Sequence, residues 1–363
     1  MPEVQDVFEQ FGDIYRANHK LSLTQHKAMN AIRSCRTSRL GGHMDRCPSC
    51  KYERPSYNSC RNRHCPKCQT LSKERWIDAQ KADLLDIGYF HVVFTVPQEL
   101  NALIYRNQKD CYKLLFQCVA ETLQELAKDK KYLGASIGHT AVLHTWGQNL
   151  CFHPHIHCIV PSGGLTALGK WQSSRKKFFL PVRVLSRKFR GKFLALLKLR
   201  IPDVDQDLLN LCYHKEWVVY CKPPFRDAAC VVEYLGRYTH RVAISNNRIL
   251  KLENGTVSFK WRDYRDSSRW KEMTLSADEF IRRFLLHILP TSFMKIRHYG
   301  FLSSRGKQKK LKICKIQTGT SLLLKEKLSA EQLIQKLIGR KPSQCPQCGY
   351  SDLLRTGLAP PAA

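Results

Sequence analysis

His155 and His157 stand either side of Ile156 in the run Cys151 to Val160, whose residues favour a strand. A strand turns alternate side chains to opposite faces, so the two imidazoles share a face while Ile156 points into a core. Neutral imidazoles bind divalent cations, which makes the pair a candidate metal site. The plainer alternative is two unconnected histidines on an exposed strand face. Tyr234 and Tyr238 lie four residues apart in the helix-like stretch from Arg226 to Thr239. One turn of helix separates them, so they share a face, and both flank the apolar stripe Ala228, Val231, Val232 and Leu235. That placement favours an exposed functional pair over packing at the edge of a core.

The cysteines offer a different chemistry. Cys47 and Cys50, followed by Cys65 and Cys68, form two Cys-Pro-x-Cys turns. Paired thiolates of this spacing suit one tetrahedral zinc ion. Cys35, His43, Cys60 and His64 are further ligand types, and sharing a second ion among them gives an interleaved two-zinc module. Arg39, Arg61, Arg63 and Lys67 put positive charge on the same scaffold, so nucleic acid is its expected partner, with a purely structural staple as the alternative. Cys345 and Cys348 make half a site near the C-terminus, where Cys314 is the only close cysteine neighbour.

The elements that must position these groups follow from pattern. Tyr89 to Val96 is a β-branched and aromatic run ending at Pro97, which predicts a buried strand. Asn101 to Ala127 carries Leu103, Leu114, Leu115, Cys118, Val119, Leu123 and Leu126 at helical spacing. His139 to Trp146 reads as a strand that turns at Gly147-Gln148-Asn149 and pairs with Cys151 to Val160. Pro154 cannot donate to a ladder and marks where regular pairing begins. Trp217 to Cys221 is a further strand, and Arg248 to Arg262 a hairpin around Glu253-Asn254-Gly255. The pattern is α+β with an antiparallel sheet.

Composition narrows the partner. The 363 residues include 60 Lys and Arg against 30 Asp and Glu, a net charge of +30, so a polyanion is expected. Basic clusters at Ser174-Arg175-Lys176-Lys177, Arg187 to Arg200 and Arg305 to Lys315 alternate in part with aromatics such as Phe178, Phe179, Phe189 and Phe193, which suits a phosphate track with stacking platforms. No apolar run approaches the ~20 residues that span a bilayer. The N-terminus lacks a basic-then-apolar leader pattern, so the expected compartment is the cytoplasm, where 16 cysteines read as ligands or core residues rather than disulfides.

His155-Ile156-His157, Tyr234-Leu235-Gly236-Arg237-Tyr238 and the Cys/His front module together resemble the two-tyrosine HUH transposases of rolling-circle insertion sequences. The similarity extends to Asn58 through Cys68, Tyr238 through Ser245, and Arg297-His298-Tyr299-Gly300. The resemblance implies an HUH nuclease domain with a central antiparallel sheet and flanking helices. It implies a transposase that nicks and rejoins single-stranded DNA at element ends through a 5′-phosphotyrosine, with Tyr234 and Tyr238 as nucleophiles. Mg²⁺ or Mn²⁺ would sit on His155 and His157, with Gln148 as third ligand and His153 and His144 as its rivals, and Zn²⁺ would serve structurally. Arg61, Arg63, Arg237 and Arg241 are the expected DNA contacts. Single-stranded DNA of transposon ends and target is the expected partner, with a homodimer as a further option and no membrane.

The corresponding division is 1–88 for a helical and zinc-binding domain, 89–275 for the nuclease domain, and 276–363 for a basic C-terminal region with its CxxC and a disordered tail. Two other functions use the same residues differently. A rolling-circle replication initiator or relaxase shares the metal and tyrosine chemistry but not the Cys/His front module. A zinc-finger regulator with an inert HUH segment would bind duplex DNA and form no covalent adduct.

Overall fold

The computed structural model describes residues 1–175, 179–225, 231, 236, 243–264, 266–322 and 328–361, with side chains left aside at 223–225. In chain order, helices α1 (Val4–Asn18) and α2 (Leu23–Ser34) precede strands β1 (Gly42–Arg46) and β2 (Glu53–Tyr57) and helix α3 (Thr70–Asp83). Strand β3 (Tyr89–Thr95) leads into α4 (Asn101–Arg106) and α5 (Gln108–Lys128), then β4 (His139–Trp146), β5 (Phe152–Pro161), β6 (Gly163–Leu165) and β7 (Trp171–Ser173). Helices α6 (Val182–Arg200) and α7 (Gln206–His214) precede β8 (Val219–Phe225). Next come β9 (Ile249–Glu253), β10 (Thr256–Asp263), β11 (Arg269–Ser276), a helix at Ala277–Leu285 and β12 (Ile296–Tyr299). Helices at Lys307–Gln317 and Ala330–Ile338 lead to β13 (Leu354–Leu358).

The central sheet has the order β12-β4-β5-β3-β8 and is antiparallel throughout. Its two faces differ in chemistry because strand alternation sorts them. Ile156, Cys158 and Val160 of β5, Phe90, Val92 and Phe94 of β3, and Ala141 and Leu143 of β4 form one apolar face. Helices α5 and α6 cover that face with Leu115, Phe116, Val119, Phe189 and Phe193, all buried. Phe94 meets Phe189 edge-on at 5.1 Å. Truncating such a ring to alanine costs ~3–5 kcal/mol. The opposite face carries the histidines.

The predicted strands at β3, β4 and β5 are present, and the turn between β4 and β5 lies at 147–150. Pairing shifts register between His144 and Trp146, so the extra residues of β5, Pro154 among them, sit in a bulge where no N–H is required. The single helix expected over Asn101 to Ala127 is instead two, because Asn107 leaves helical geometry at φ −119°, ψ 40°. Strand β8 runs past Cys221 through Pro223 and Pro224; it is an edge strand, where a missing donor costs no ladder bond. The hairpin around Asn254 and Gly255 forms with both at positive φ, 49° and 70°, and β11 adds a third strand to it.

A second core joins the N-terminal helices to this three-stranded sheet. Val7, Phe8, Met29 and Ile32 pack with Ile249, Val257, Phe259, Phe280 and Phe284, and Phe8 meets Phe284 edge-on at 5.3 Å. Residues after 276 serve both earlier parts of the chain: β12 completes one edge of the central sheet and β13 pairs with β1 in the sheet β13-β1-β2.

His287 links the two cores. Its Nε2–H donates to the Leu150 carbonyl at 3.0 Å, so its Nδ1 must accept from the Thr145 hydroxyl at 3.2 Å, which fixes the neutral ring. Burial pushes its pKa down from 6.5 to about 4. The unfolded chain therefore binds a proton first, and stability that is fully present above pH 6.5 is lost as pH falls toward 4. At pH 5 the loss from this one group amounts to about 2 kcal/mol. Thermal melts from pH 7 to 5 should fall steeply, and His287→Gln should flatten that slope; an unchanged slope refutes the assignment.

Candidate metal centres and nuclease site

His155 and His157 of β5 do share a face, and β4 brings His144 to them. His144 is the register partner of His155, so its ring lies directly across the ladder. One ligand nitrogen from each of His144, His155 and His157 lies within 4.8 Å of the others. The rings of His144 and His157 are 4.2 Å apart and those of His155 and His157 4.8 Å apart.

The surroundings prepare these rings as ligands. His155 Nδ1–H donates to the His153 carbonyl at 2.6 Å, which leaves the Nε2 lone pair outward. His157 Nδ1 is 2.7 Å from His91 Nε2 of the neighbouring strand, so His91 orients His157 from behind. Burial, helped by neighbouring imidazoles, pushes His155 down to about 3 and His157 well below its ordinary range. Burial likewise pushes His91 down to about 4. Neutral imidazole is the form that coordinates, so His155 and His157 are in the form a divalent cation would take.

Gln148, the expected third ligand, lies in the turn that joins β4 and β5; its side-chain nitrogen donates to the Tyr264 hydroxyl at 3.1 Å, and Arg248 donates to its backbone carbonyl at 2.6 Å. His144 supplies the third nitrogen of the imidazole cluster. Gln148→Ala should therefore change metal affinity less than ~3-fold while His144→Ala reduces it by ~10–100-fold. Titration of the chain with Mn²⁺ by calorimetry checks this; equal losses in both variants overturn the ranking.

The cysteines also combine differently from the expected pairs. Cys65 and Cys68 come together with Cys35 and Cys60, and Cys47 and Cys50 with Cys345 and Cys348. Space, not sequence spacing, decides this: Cys35 caps α2 and the loop ahead of α3 folds back on it. The Cys60 amide points at Cys35 Sγ at 3.5 Å, and Cys60 and Cys68 sulfurs are 3.7 Å apart. His64 cannot be a ligand here, since the Leu289 amide donates to its Nε2 at 3.1 Å and its Nδ1–H faces Asn62 Oδ1 at 3.2 Å. His43 sits on β1 and faces Asp45 at 3.4 Å. Arg61 is exposed, whereas Arg63 ties the module to the loop that leads into β12 through the Phe293 carbonyl at 2.6 Å. Tyr234, Tyr238, Arg237 and Arg241 lie outside the described residues.

Comparison with known proteins identifies the chain. Residues 7–96 match the family model "Transposase zinc-binding domain", and residues 138–310 match the one described as "Putative transposase". The chain is 46% identical to "Putative transposase y4qJ" of Sinorhizobium fredii, over 97% of this chain and 94% of that one. It belongs to this transposase family. The "Transposase for insertion sequence element IS801" of Pseudomonas savastanoi pv. phaseolicola is 30% identical over 75% of this chain and 68% of its own length. No solved structure matches the chain.

Sequence reasoning weighed His144 only as a rival and passed over His91, although both stand on strands beside the His155 face. In this transposase the signal was register: a histidine three residues before the 147–150 turn opposes one on the returning strand. No helix among the described residues is long and apolar enough to cross a membrane.

Proposed function

We propose that this transposase cleaves and rejoins single-stranded DNA at the ends of its element by an HUH mechanism, with Tyr234 or Tyr238 as nucleophile. The reading rests on one juxtaposition. Val231, three residues before Tyr234, is buried against Tyr89, Val142 and Ile159, on the same sheet face as His144, His155 and His157. Gly236, between the two tyrosines, is buried against the Ile77 side chain of α3, which an added Cβ would have to displace. Two described neighbours of the tyrosines are thus held, Val231 on the histidine face and Gly236 against α3.

A divalent cation fits the three imidazoles, and when bound it supplies Lewis-acid polarisation of the scissile phosphate. The all-nitrogen donor set disfavours Mg²⁺, which prefers oxygen, so Mn²⁺ is the better of the two ions. His91 and the His153 carbonyl hold the coordinating rings in one tautomer. The tyrosine oxygen forms a bond to phosphorus, the P–O3′ bond breaks, and the departing 3′ oxygen takes a proton. The 5′-phosphotyrosine keeps the energy of the phosphodiester, so attack by a free 3′ hydroxyl reverses the step and joins strands without a nucleotide cofactor. Lysines and arginines supply affinity for the backbone.

Incubating the protein with labelled single-stranded element ends and Mn²⁺ should give a covalent complex on a denaturing gel. Sequence-specific duplex binding without any adduct would instead identify a regulator.

A further inference from the structure

We propose that Cys47, Cys50, Cys345 and Cys348 form a second structural zinc site, split between the two ends of the chain, which fastens the C-terminal arm to the N-terminal module. Both family matches, 7–96 and 138–310, stop short of Cys345.

The geometry is that of a tetrathiolate. Cys47 and Cys348 sulfurs are 3.6 Å apart and Cys50 and Cys345 sulfurs 3.7 Å, with all four inside 4.8 Å. A tetrahedron with Zn–S bonds of about 2.3 Å has edges of about 3.8 Å. A disulfide would need about 2.0 Å.

The two halves are built alike. Cys47-Pro48-Ser49-Cys50-Lys51-Tyr52 and Cys345-Pro346-Gln347-Cys348-Gly349-Tyr350 share one pattern. In each, the first cysteine's amide donates to the tyrosine carbonyl at 2.8 Å, and the residue after the second cysteine donates back to the first at 3.1 Å. That residue has positive φ in both, 62° at Lys51 and 79° at Gly349. Two such turns facing each other present four sulfurs to one ion.

Backbone and charge support the same closure. Strand β13 pairs with β1 from Gly42↔Leu358 to Arg46↔Leu354. Asp45, buried in β1, takes Arg54 from β2 at 3.0 Å and Arg355 from β13 at 2.9 Å. The fastened arm also reaches α3: Leu333 of the helix Ala330–Ile338 is buried and Lys336 pairs with Asp78 at 3.6 Å. Since α3 is the helix that backs Gly236, the arm braces the support of the tyrosine segment.

Native mass spectrometry of the full chain should show two zinc ions, and the Cys345→Ser/Cys348→Ser variant one. Because that variant could misfold, the wild-type protein is also treated with iodoacetamide under native conditions. Cys348 is exposed, so without metal it would alkylate at once; with metal, Cys345 and Cys348 should react at least ten-fold more slowly until a chelator is added. One zinc in the wild-type chain, two in the double variant, or fast alkylation of Cys348 in zinc-loaded protein would each overturn the proposal.

Discussion

Alanine at His157 should lower single-strand cleavage by on the order of 10³-fold while single-strand affinity stays within ~2-fold. His157 is at the centre of the cluster: it lies 4.2 Å from His144, 4.8 Å from His155 and is oriented by His91. Removing it deletes one of three nitrogens and the hinge on which the others are aligned. Affinity should be carried by lysines and arginines elsewhere, without the stacking platforms expected at Phe179, Phe189 and Phe193, since those rings are buried in the core. Single-turnover cleavage with Mn²⁺ and a parallel filter-binding titration measure the two quantities. Full cleavage by His157→Ala, or wild-type cleavage in excess chelator, would show that the imidazole cluster is not the metal centre. His91→Ala should give a smaller loss that higher Mn²⁺ concentration restores, since it orients a ligand without being one.

Phenylalanine at both Tyr234 and Tyr238 should abolish the covalent adduct and reduce strand cleavage by on the order of 10⁴-fold. Each replacement removes one hydroxyl and little volume, so the melting temperature should move by only ~1–2 °C, within the effect of a neutral surface change. The single variants separate the roles. One tyrosine can hold the first cut end while the other makes the second cut, so either single change should weaken strand transfer more than first cleavage. Mass spectrometry of the trapped adduct locates the nucleotide. A modified Tyr220 or Tyr264 would assign the nucleophile elsewhere; Tyr264 is exposed and already engaged with Gln148.

The central strands were legible in the sequence: β3 is marked by its β-branched and aromatic run ending at Pro97, and β4 and β5 by the turn signal at Gly147-Gln148-Asn149 between them. Strand β11 carries no such pattern: Arg269 to Glu272 are exposed on both faces, so nothing in the residue order marks a strand. β12 and β13 are four and five residues long, too short for a period to show. The candidate ligands were legible by type but not by partner. Cys65 and Cys68 read as the mates of Cys47 and Cys50 because they are near in sequence, whereas the fold pairs Cys47 with a residue 301 positions away. His144 stood only as a rival to Gln148 because the register was not legible; the bulge at Pro154 sets it and brings His144 opposite His155.

The pairing of β13 with β1 makes assembly depend on residues synthesised some 300 positions after β1. At ~5–20 residues per second, roughly 15–60 s separate emergence of Cys50 from emergence of Cys345. During that interval β1 has one open edge, and Asp45 has Arg54 but not yet Arg355. A message cut short before codon 345 yields a chain that keeps the histidines, the tyrosines and the Cys35 cluster, yet never closes that edge. Exposed edges invite pairing with other chains, so such shortened chains should associate with one another through β1.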